Sequence, residues 1–234
     1  MTALHLQLQS GFPVHATDIH HSKALNARLA QVLDVREHEN NTRGEIESFI
    51  RQCFSATHGA SISNFMPRLL SLSSKGGDVI AAFGLRAAAN SSLFLETYLD
   101  QPIEAILHSR VGEIVHREKI IEVGNLSALY PGAARWLIVA LTVKLHDEGY
   151  KWVTFTGTSA VRNVFSRLGL RPVDLGMATL EHLPISDRAN WGSYYDNAPI
   201  VMAGDIDYGY RSLLQDRDLT ELLRAGMDSV DAII

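Results

Sequence analysis

The chain has 234 residues, 46% of them hydrophobic and 20% charged, and its 26 acidic residues outnumber 21 basic ones to give a net charge of −5. This length and composition are typical of one globular domain with terminal extensions, and the acidic balance argues against nucleic-acid binding, which requires a basic face for the phosphates. Cys53 is the only cysteine, which excludes an intramolecular disulfide and a zinc site built on several thiolates; its apolar helical surroundings predict a packed core thiol.

Residues 1–27 are weakly patterned and predict an irregular extension or an edge element. They lack a basic start followed by an apolar block, so no signal peptide is predicted, and no apolar run in the chain approaches the ~18 residues that span a bilayer. We therefore expect a cytoplasmic protein. His20 and His21 are neighbours whose side chains point to opposite faces of an extended chain, so no metal site is predicted there.

The first regular elements are a strand, a helix and a hairpin. Residues Leu29 to Val35 predict the strand. A helix is predicted from Thr42 to His58, because this stretch opens with capping-box spacing and then repeats apolar residues along one face. Two strand candidates, Pro67 to Leu72 and Val79 to Arg86, are separated by a turn rich in Gly and Ser and predict an antiparallel hairpin.

The rest of the chain alternates strands and helices irregularly. In chain order, the predicted elements are a short apolar segment at Leu93–Asp100, a short helix from Pro102 to Ile106, a strand at Ile120–Ala128, an apolar helix ending near Gly149, a strand at Lys151–Thr156, a helix from Val161 to Leu168, strands at Val173–Leu180 and Pro199–Ala203, and a final helix over Leu213, Leu214, Leu219, Leu222 and Leu223. This order predicts an α/β fold (α+β mixed sheet) with helices on its faces. We place the main domain at residues 28–205 and a C-terminal helix and tail at 206–234.

Glu122 and Asn125 interrupt an apolar strand, and polar groups in a buried strand cost free energy unless they are paired or used. A buried carboxylate has a raised pKa and can act as a general base. Pairing of Glu122 with an arginine such as Arg86 or Arg43 is the structural alternative, and the residues alone favour neither. Strict alternation places Glu122 and Asn125 on opposite faces, whereas a bulge at Gly124 would bring them to one side.

Small residues open the helix that follows this strand. Gly132, Ala133 and Ala134 would let a phosphate approach the free backbone N–H groups, and Arg135 would add positive charge. The alternative is a simple turn before a helix. A dinucleotide site is not predicted, because the G-x-G-x-x-G pattern is missing.

From about Arg43 to Asp205 the chain resembles the thermostable haemolysin family, a branch of the GNAT acyltransferase superfamily. The matching stretches are Phe65-Met66-Pro67, Leu93-Phe94-Leu95-Glu96, Tyr98-Leu99-Asp100, Pro102-Ile103-Glu104, Glu122-Val123-Gly124-Asn125-Leu126, Phe155-Thr156-Gly157-Thr158, Arg162-Asn163, Phe165, Arg167-Leu168-Gly169-Leu170 and Trp191-Gly192-Ser193-Tyr194-Tyr195-Asp196. The resemblance implies a GNAT-like acyltransferase fold, whose central mixed sheet splays apart between two strands to hold a thioester donor.

Two positions depart from the superfamily pattern. Leu129 stands where the pyrophosphate loop usually begins with Arg or Gln, and Phe165 stands where many members carry a Tyr general acid. Both departures point toward the acyl-homoserine lactone synthases, which use an acyl carrier protein and also lack that Tyr. Their Glu-x-Ser-Arg and Gly-x-Arg strands are similar to Glu122–Asn125 and Gly84–Arg86, although Asn125 replaces the Arg of the first.

The resemblance implies an N-acyltransferase that moves an acyl group from acyl-CoA or an acyl carrier protein to a small amine or amino-acid-like acceptor, without a permanently bound cofactor, metal or nucleic acid. The predicted catalytic residues are Glu122 and Asn125. The predicted donor-binding residues are Leu126, Ser127, Gly132, Ala133, Ala134, Arg135 and Asn163, and the predicted substrate-binding residues are Arg43, Arg86, Glu96, Trp191 and Tyr194.

Several alternatives stay open at the level of sequence. Glu96 would also suit a paired acid, Trp191 core packing and Asn163 helix capping. A directly membrane-lytic protein and a non-catalytic module that binds an acyl ligand are the competing functions.

Overall fold

Seven strands form one mixed sheet in the computed structural model of the protein, which describes residues 34–74 and 76–215. The strands are β1 (Asp34–His38), β2 (Arg68–Ser73), β3 (Val79–Ala87), β4 (Ile120–Ala128), β5 (Trp152–Gly157), β6 (Val173–Met177) and β7 (Ile200–Asp205). The helices are α1 (Asn40–His58), α2 (Ile103–Val111), α3 (Pro131–Asp147), α4 (Ser159–Arg167), α5 (Ile185–Arg188) and α6 (Ile206–Gln215). The predicted class, a mixed sheet flanked by helices, is confirmed.

The strands lie in the order β1-β2-β3-β4-β5-β7-β6. All neighbours are antiparallel except β4 and β5, which run parallel and are connected through α3. The predicted hairpin of β2 and β3 is confirmed, since Leu72 pairs with Ala81. Because a parallel pair needs a long crossover connection, α3 is the element that places β5 beside β4.

Helices cover both faces of the sheet. On one face α3, α4 and α6 pack on a core that includes Phe83, Leu137 and Phe155. On the other face α1 and α2 cover two smaller cores, represented by Ile50 and Leu107. Burying both faces explains why the strands read as nearly continuous apolar runs in the sequence.

The start of α1 differs from the prediction. The helix begins at Asn40, so the capping box that would start it at Thr42 is wrong. The carbonyl of the extended residue Glu39 accepts the N–H groups of Thr42 (3.0 Å) and Arg43 (2.9 Å). The Thr42 hydroxyl instead lies 3.1 Å from the His38 ring. The helix therefore starts from the backbone directly after β1, without a side-chain cap.

Further boundaries shift, among them the end of the short helix α2, which lies at Val111 and not at Ile106. The first strand extends to His38, beyond the predicted end at Val35, and the last helix begins at Ile206, before the predicted leucines. Outside the described residues lie the predicted extension at 1–27, His20, His21, most of the predicted strand Leu29–Val35, and the leucines at 219, 222 and 223. Within the described part of the chain, none of the helices combines the length and the apolar character that a membrane crossing requires.

β4 and β5 separate in the middle of the sheet. Their parallel pairing covers only Ile120–Val123 on β4 and Trp152–Phe155 on β5. Beyond this point β4 runs on to Ala128 and β5 to Gly157 without pairing to each other. The predicted splay is thus present, and since both strands point the same way, α3 and α4 begin close to its open end.

Candidate active site

A bulge in β4 shapes the site. Ala82 pairs with Ser127 and Gly84 pairs with Gly124, so two residues of β4 oppose one residue of β3. Asn125 lies in this stretch and has a left-handed backbone, with φ of 53°. The predicted bulge is therefore present, immediately after Gly124. It turns the Asn125 side chain to the face of the sheet that carries Glu122.

A cavity of about 330 Å³ opens where β4 and β5 separate. Its walls come from α1, β4, the end of β5, the start of α4 and the connection between β6 and β7. The predicted site residues that line it are Arg86, Glu122, Asn125, Leu126, Ser127, Trp191 and Tyr194. A largely apolar cavity with a few converging polar groups is the usual form of a small-molecule site.

Glu122 is the buried acid of this cavity, with only 2% of its surface exposed. Its two carboxylate oxygens accept the backbone N–H groups of Phe94 and Leu95, each at 2.9 Å. The guanidinium of Arg86 stands 3.9 Å away, too far for a hydrogen bond. Burial raises the pKa of Glu122, while the two N–H donors and Arg86 oppose this shift. The carboxyl group is thus oriented by backbone and poised to take up a proton.

The 3₁₀ helix Phe94–Tyr98, which supplies these donors, is fixed by a second acid. Glu96 accepts the N–H groups of Leu93 (2.9 Å) and Ile103 (3.0 Å). Two nitrogens of Arg117 hold the same carboxylate, at 2.7 and 2.9 Å. Glu96 therefore lies outside the cavity, beside a wider open groove of about 740 Å³. Its contacts are those of a paired structural acid, the alternative left open by the sequence.

Glu96 gives a prediction for stability against pH. The hydrogen bonds from Arg117 lower the pKa of Glu96 from the ordinary 4.5 to about 2. Because this pKa is depressed in the folded state, its stabilisation is complete above about pH 5 and is lost as the pH falls toward 2, by roughly 3 kcal/mol. We expect Glu96→Gln to be less stable than the wild type at pH 7, with the two curves converging near pH 2 in urea unfolding. A constant difference across this pH range would contradict the assignment.

Asn125 and Arg43 both bind the same backbone segment. The Asn125 side chain accepts the N–H of Met66 (2.8 Å) and donates to the carbonyl of Asn64 (3.3 Å). Arg43 donates to the carbonyls of Met66 and Pro67, both at 2.9 Å, and pairs with an acid of its own helix. Arg43 does not line the cavity and does not reach Glu122, so the predicted contact with the substrate is not available to it. Because Arg43 lies in the first turn of α1, it contacts the loop between α1 and β2 instead.

Met66 covers a pair of glycines on neighbouring strands. Gly84 of β3 and Gly124 of β4 are directly paired, and a Cβ built on either one would overlap the Met66 side chain. On Gly84 the overlap is with Met66 Cβ, close to the backbone, whereas on Gly124 it is with the mobile terminal methyl group. Both glycines are thus required by the close approach of the thioether side chain.

We expect Gly84→Ala to destabilise the fold by about 1–3 kcal/mol, and Gly124→Ala by distinctly less, since only the tip of Met66 must move. Urea unfolding of both variants tests this. Gly44→Ala is the matched control, because Gly44 lies on the exposed side of α1 with open space around its Cα and should gain stability slightly. Equal losses at Gly84 and Gly124 would show that the overlap with Met66 does not decide the outcome.

Aromatic rings close the wall formed by the β6–β7 connection. The ring centre of Trp191 lies 5.4 Å from that of Tyr194 and 6.1 Å from that of Phe94. The connection is attached to α1 by the N–H of Ser193, which donates to the carbonyl of His58 (2.8 Å). Trp191 and Tyr194 therefore serve both as cavity wall and as packing.

Two further tyrosines meet behind this wall. The hydroxyl groups of Tyr98, which lines the cavity, and Tyr195 lie 2.5 Å apart. Burial raises the pKa of Tyr195 to about 12, and burial together with the bond to Tyr195 raises that of Tyr98. Both groups stay protonated at neutral pH.

The predicted donor-binding residues divide into two groups. Leu126 and Ser127 line the cavity at the open edge of β4. Those at the helix starts do not: Gly132 and Asn163 are exposed and Ala133 is buried in the core, while Ala134 and Arg135 are partly buried on α3. The first turn of α3 is nevertheless open to solvent at Gly132.

Phe165 and Cys53 also have defined places. Phe165 is buried and stacks on Phe155, with ring centres 4.8 Å apart, so it packs the core below the cleft. Cys53 is only partly buried and lines the cavity, which corrects the prediction of a core position. Burial raises the pKa of its thiol, so the protonated form predominates at neutral pH.

Sequence reasoning missed several cavity residues, among them His58, Met66, Phe94, Tyr98 and Val161. Four of them read as ordinary apolar or aromatic residues of loops and helices. Met66 carried one usable signal, because glycines occur on both predicted strands at 84 and 124, but their pairing depends on a register that the sequence does not display.

Comparison with solved structures finds the same architecture in three proteins, two of them described as an N-acyl amino acid synthase and an AHL synthase. FeeM, an N-acyl amino acid synthase from uncultured soil microbes, is 16% identical, with a TM-score of 0.54 over 81% of this chain and 97% of that chain. The AHL synthase LasI is 12% identical, with a TM-score of 0.50 over 74% of this chain and 90% of that chain. TofI, solved with an inhibitor and MTA, is 11% identical, with a TM-score of 0.53 over 80% and 99%. At these identities the likeness establishes a shared fold.

Comparison by sequence gives a family. No curated protein matches the chain. The family model described as "Thermostable hemolysin" matches residues 36–210, which include every strand from β2 to β7 and the whole cavity. The chain belongs to the thermostable haemolysin family.

Proposed function

We propose that the protein is an N-acyltransferase that moves an acyl group from a thioester donor, acyl-CoA or acyl carrier protein, to a small amine or amino-acid-like acceptor. The observation that carries this proposal is Glu122, a buried and backbone-oriented carboxylate inside a cavity located where β4 and β5 separate. A carboxyl group in such surroundings is matched to the deprotonation of an ammonium group. The shared fold with acyl-transferring synthases supports the reaction class.

In the proposed reaction Glu122 takes a proton from the acceptor ammonium, directly or through water. The neutral amine attacks the thioester carbonyl, so a C–N bond forms and the C–S bond breaks. Two protons leave the nitrogen in total: one neutralises the departing thiolate, and the other passes through Glu122 to solvent. No tyrosine proton donor is required at Phe165, since an alkyl thiolate is a good leaving group.

The edge of β4 suits the carbonyl oxygen of the donor. Beyond Val123 this strand has no pairing with β5, so the backbone from Asn125 to Ser127 borders the open cleft. We assign its N–H groups to the oxygen that becomes negatively charged during attack. The amide side chain of Asn125 is already engaged with Met66 and Asn64 and takes a supporting role.

The start of α3 is suited to bind the phosphate of a phosphopantetheine arm. Gly132 is exposed, and the small residues Gly132, Ala133 and Ala134 allow close approach to the first N–H groups of a helix whose dipole favours an anion. Both candidate donors, acyl-CoA and acyl carrier protein, carry such a phosphate.

The test is a transfer assay with purified protein, acyl-CoA or acyl carrier protein, and a mixed pool of amino acids and amines. We expect an acylated product by mass spectrometry, together with one free thiol per product. Binding of donor without thiol release or product would favour a non-catalytic acyl-binding module. Lysis of red cells by purified protein without any acyl donor would favour direct action on membranes.

A further inference from the structure

The backbone of Met66 is held from two sides. Its N–H donates to the Asn125 side chain on the bulge of β4, and its carbonyl accepts from Arg43 on α1. The next carbonyl, that of Pro67, accepts from the same guanidinium. A loop residue between α1 and β2 is thereby fixed with respect to both the helix and the sheet. Arg43 and Asn125, both predicted from the sequence to lie at the substrate, thus hold the backbone from which the Met66 side chain extends.

The Met66 side chain lies in a slot on the sheet surface. The slot exists because residues 84 and 124 are glycines and have no side chains to fill it. Gly84 and Gly124 face each other on β3 and β4, and Met66 covers both, with only 7% of its surface exposed. The next pair of residues on the same face is Arg86 and Glu122. Since residues on one face of a strand repeat every two positions, the slot begins about 7 Å from the proposed base.

The surroundings of the Met66 side chain under α1 are apolar. Met66 belongs to a core cluster under α1 that includes Ile50, Leu69 and Ala82. Two further residues of the cavity wall, Phe54 and Phe65, pack in the same cluster. An acyl chain is the apolar part of the reactants, and this part of the cavity wall has an apolar core behind it. Met66 lines the cavity and packs in that core, so it separates the cavity from the core.

Resting on the proposed function, we infer that Met66 sets the length of the acyl chain that the cavity accepts. Methionine has three rotatable bonds and a polarisable sulfur, so it can fill an irregular slot and still adjust to a ligand. The paired glycines beneath it leave no other side chain on the sheet surface at this point. Shortening residue 66 therefore lengthens the cavity along the sheet without altering Glu122 or the cleft.

The experiment measures binding of saturated acyl-pantetheines, from butyryl to palmitoyl, by calorimetry. Acyl-pantetheines contain the arm that acyl-CoA and acyl carrier protein share, so the result does not depend on which donor is natural. We expect Met66→Ala to shift the preferred chain toward longer acyl groups and to raise affinity for chains two carbons beyond the wild-type optimum by about ten-fold. Met66→Val removes less volume and should give an intermediate shift. It replaces Met66→Ala in the test if the alanine variant folds poorly.

Two controls make the result specific. Met66→Leu keeps the volume and should leave the preferred chain length unchanged. Val161→Ala shortens another apolar residue of the cavity wall, on α4, and should weaken binding without favouring longer chains. An unchanged preference in Met66→Ala and Met66→Val, or an equal shift in Val161→Ala, would overturn the inference, as would the absence of chain-length dependence in the wild type.

Binding and transfer are read separately in this design. A chain-length shift in binding without product from any donor would leave the inference standing and contradict the proposed transferase activity. Product formation with an unchanged chain-length preference in the Met66 variants would support the transferase activity and contradict the role of Met66.

Discussion

Glu122→Gln is expected to lower acyl transfer by at least about 100-fold, the lower range for loss of a general base. The amide has nearly the shape of the carboxyl group but cannot take a proton from the acceptor. Its NH₂ group must also face one of the two N–H donors, Phe94 or Leu95, so one hydrogen bond is replaced by a donor–donor contact. We therefore expect an additional stability loss of about 1–3 kcal/mol.

The measurement has to separate these two effects. Initial rates of product formation are compared at a temperature where urea unfolding shows both proteins to be fully folded. Glu118→Gln is the matched control, because its side chain is 64% exposed and the same chemical change should leave transfer unaltered. A folded Glu122→Gln enzyme with wild-type rates would remove the base from the proposed mechanism and leave Glu122 a purely structural role.

Arg117→Ala is expected to cause a stability loss of about 3 kcal/mol, because it leaves two acids without their shared partner. One guanidinium contacts Glu96 and Glu104, at 2.7 and 2.6 Å, and also donates to the carbonyls of Ala88 and Ser91. The Glu96 side chain is only 16% exposed, so water cannot fully replace the lost contacts. The segment that supplies N–H groups to Glu122 is attached through Glu96, and transfer should fall as well.

Urea unfolding at neutral pH measures the stability loss of Arg117→Ala, and two further variants serve as comparisons. Arg117→Lys retains the charge but not the paired geometry, and should fall between the wild type and the alanine variant. Arg110→Ala removes an exposed arginine of α2 and should change stability by less than about 0.5 kcal/mol. If the urea midpoint of Arg117→Ala equalled that of the wild type, the contacts between Arg117 and Glu96 would not be what stabilises the segment Phe94–Tyr98.

The acid at the centre of the site was predictable from the sequence. Glu122 stands inside an apolar strand, and such a residue must be paired or used wherever the strand is buried. The hairpin of β2 and β3 was equally visible, because a turn rich in Gly and Ser separates two apolar runs. The splay of β4 and β5 came from family resemblance, since no local pattern indicates where two strands separated by a helix cease to pair.

The roles of Arg43, Glu96 and Asn125 were not accessible in the same way. Each was selected as a polar residue near a motif, and each binds backbone groups outside its own helix or strand: those of Met66, Ile103 and Asn64. Hydrogen bonds of this kind depend on the path of loops, and single-sequence patterns carry no information about loop paths. The same limit hid the pairing of Gly84 with Gly124, which is a matter of register.

The narrow junction between β4 and β5 also has a consequence for biosynthesis. Strands β1 to β4 are neighbours in the order in which they are made, so each strand in the first half of the sheet can pair with the one made before it while the chain is still emerging from the ribosome. The strand pairing between this half and the half formed by β5, β7 and β6 consists of the four residue pairs of β4 with β5. We expect the wall of the cleft formed by β5 to become ordered last. A chain interrupted before Ile200 would then carry Glu122 on an ordered half-sheet but would have no cleft for the substrates.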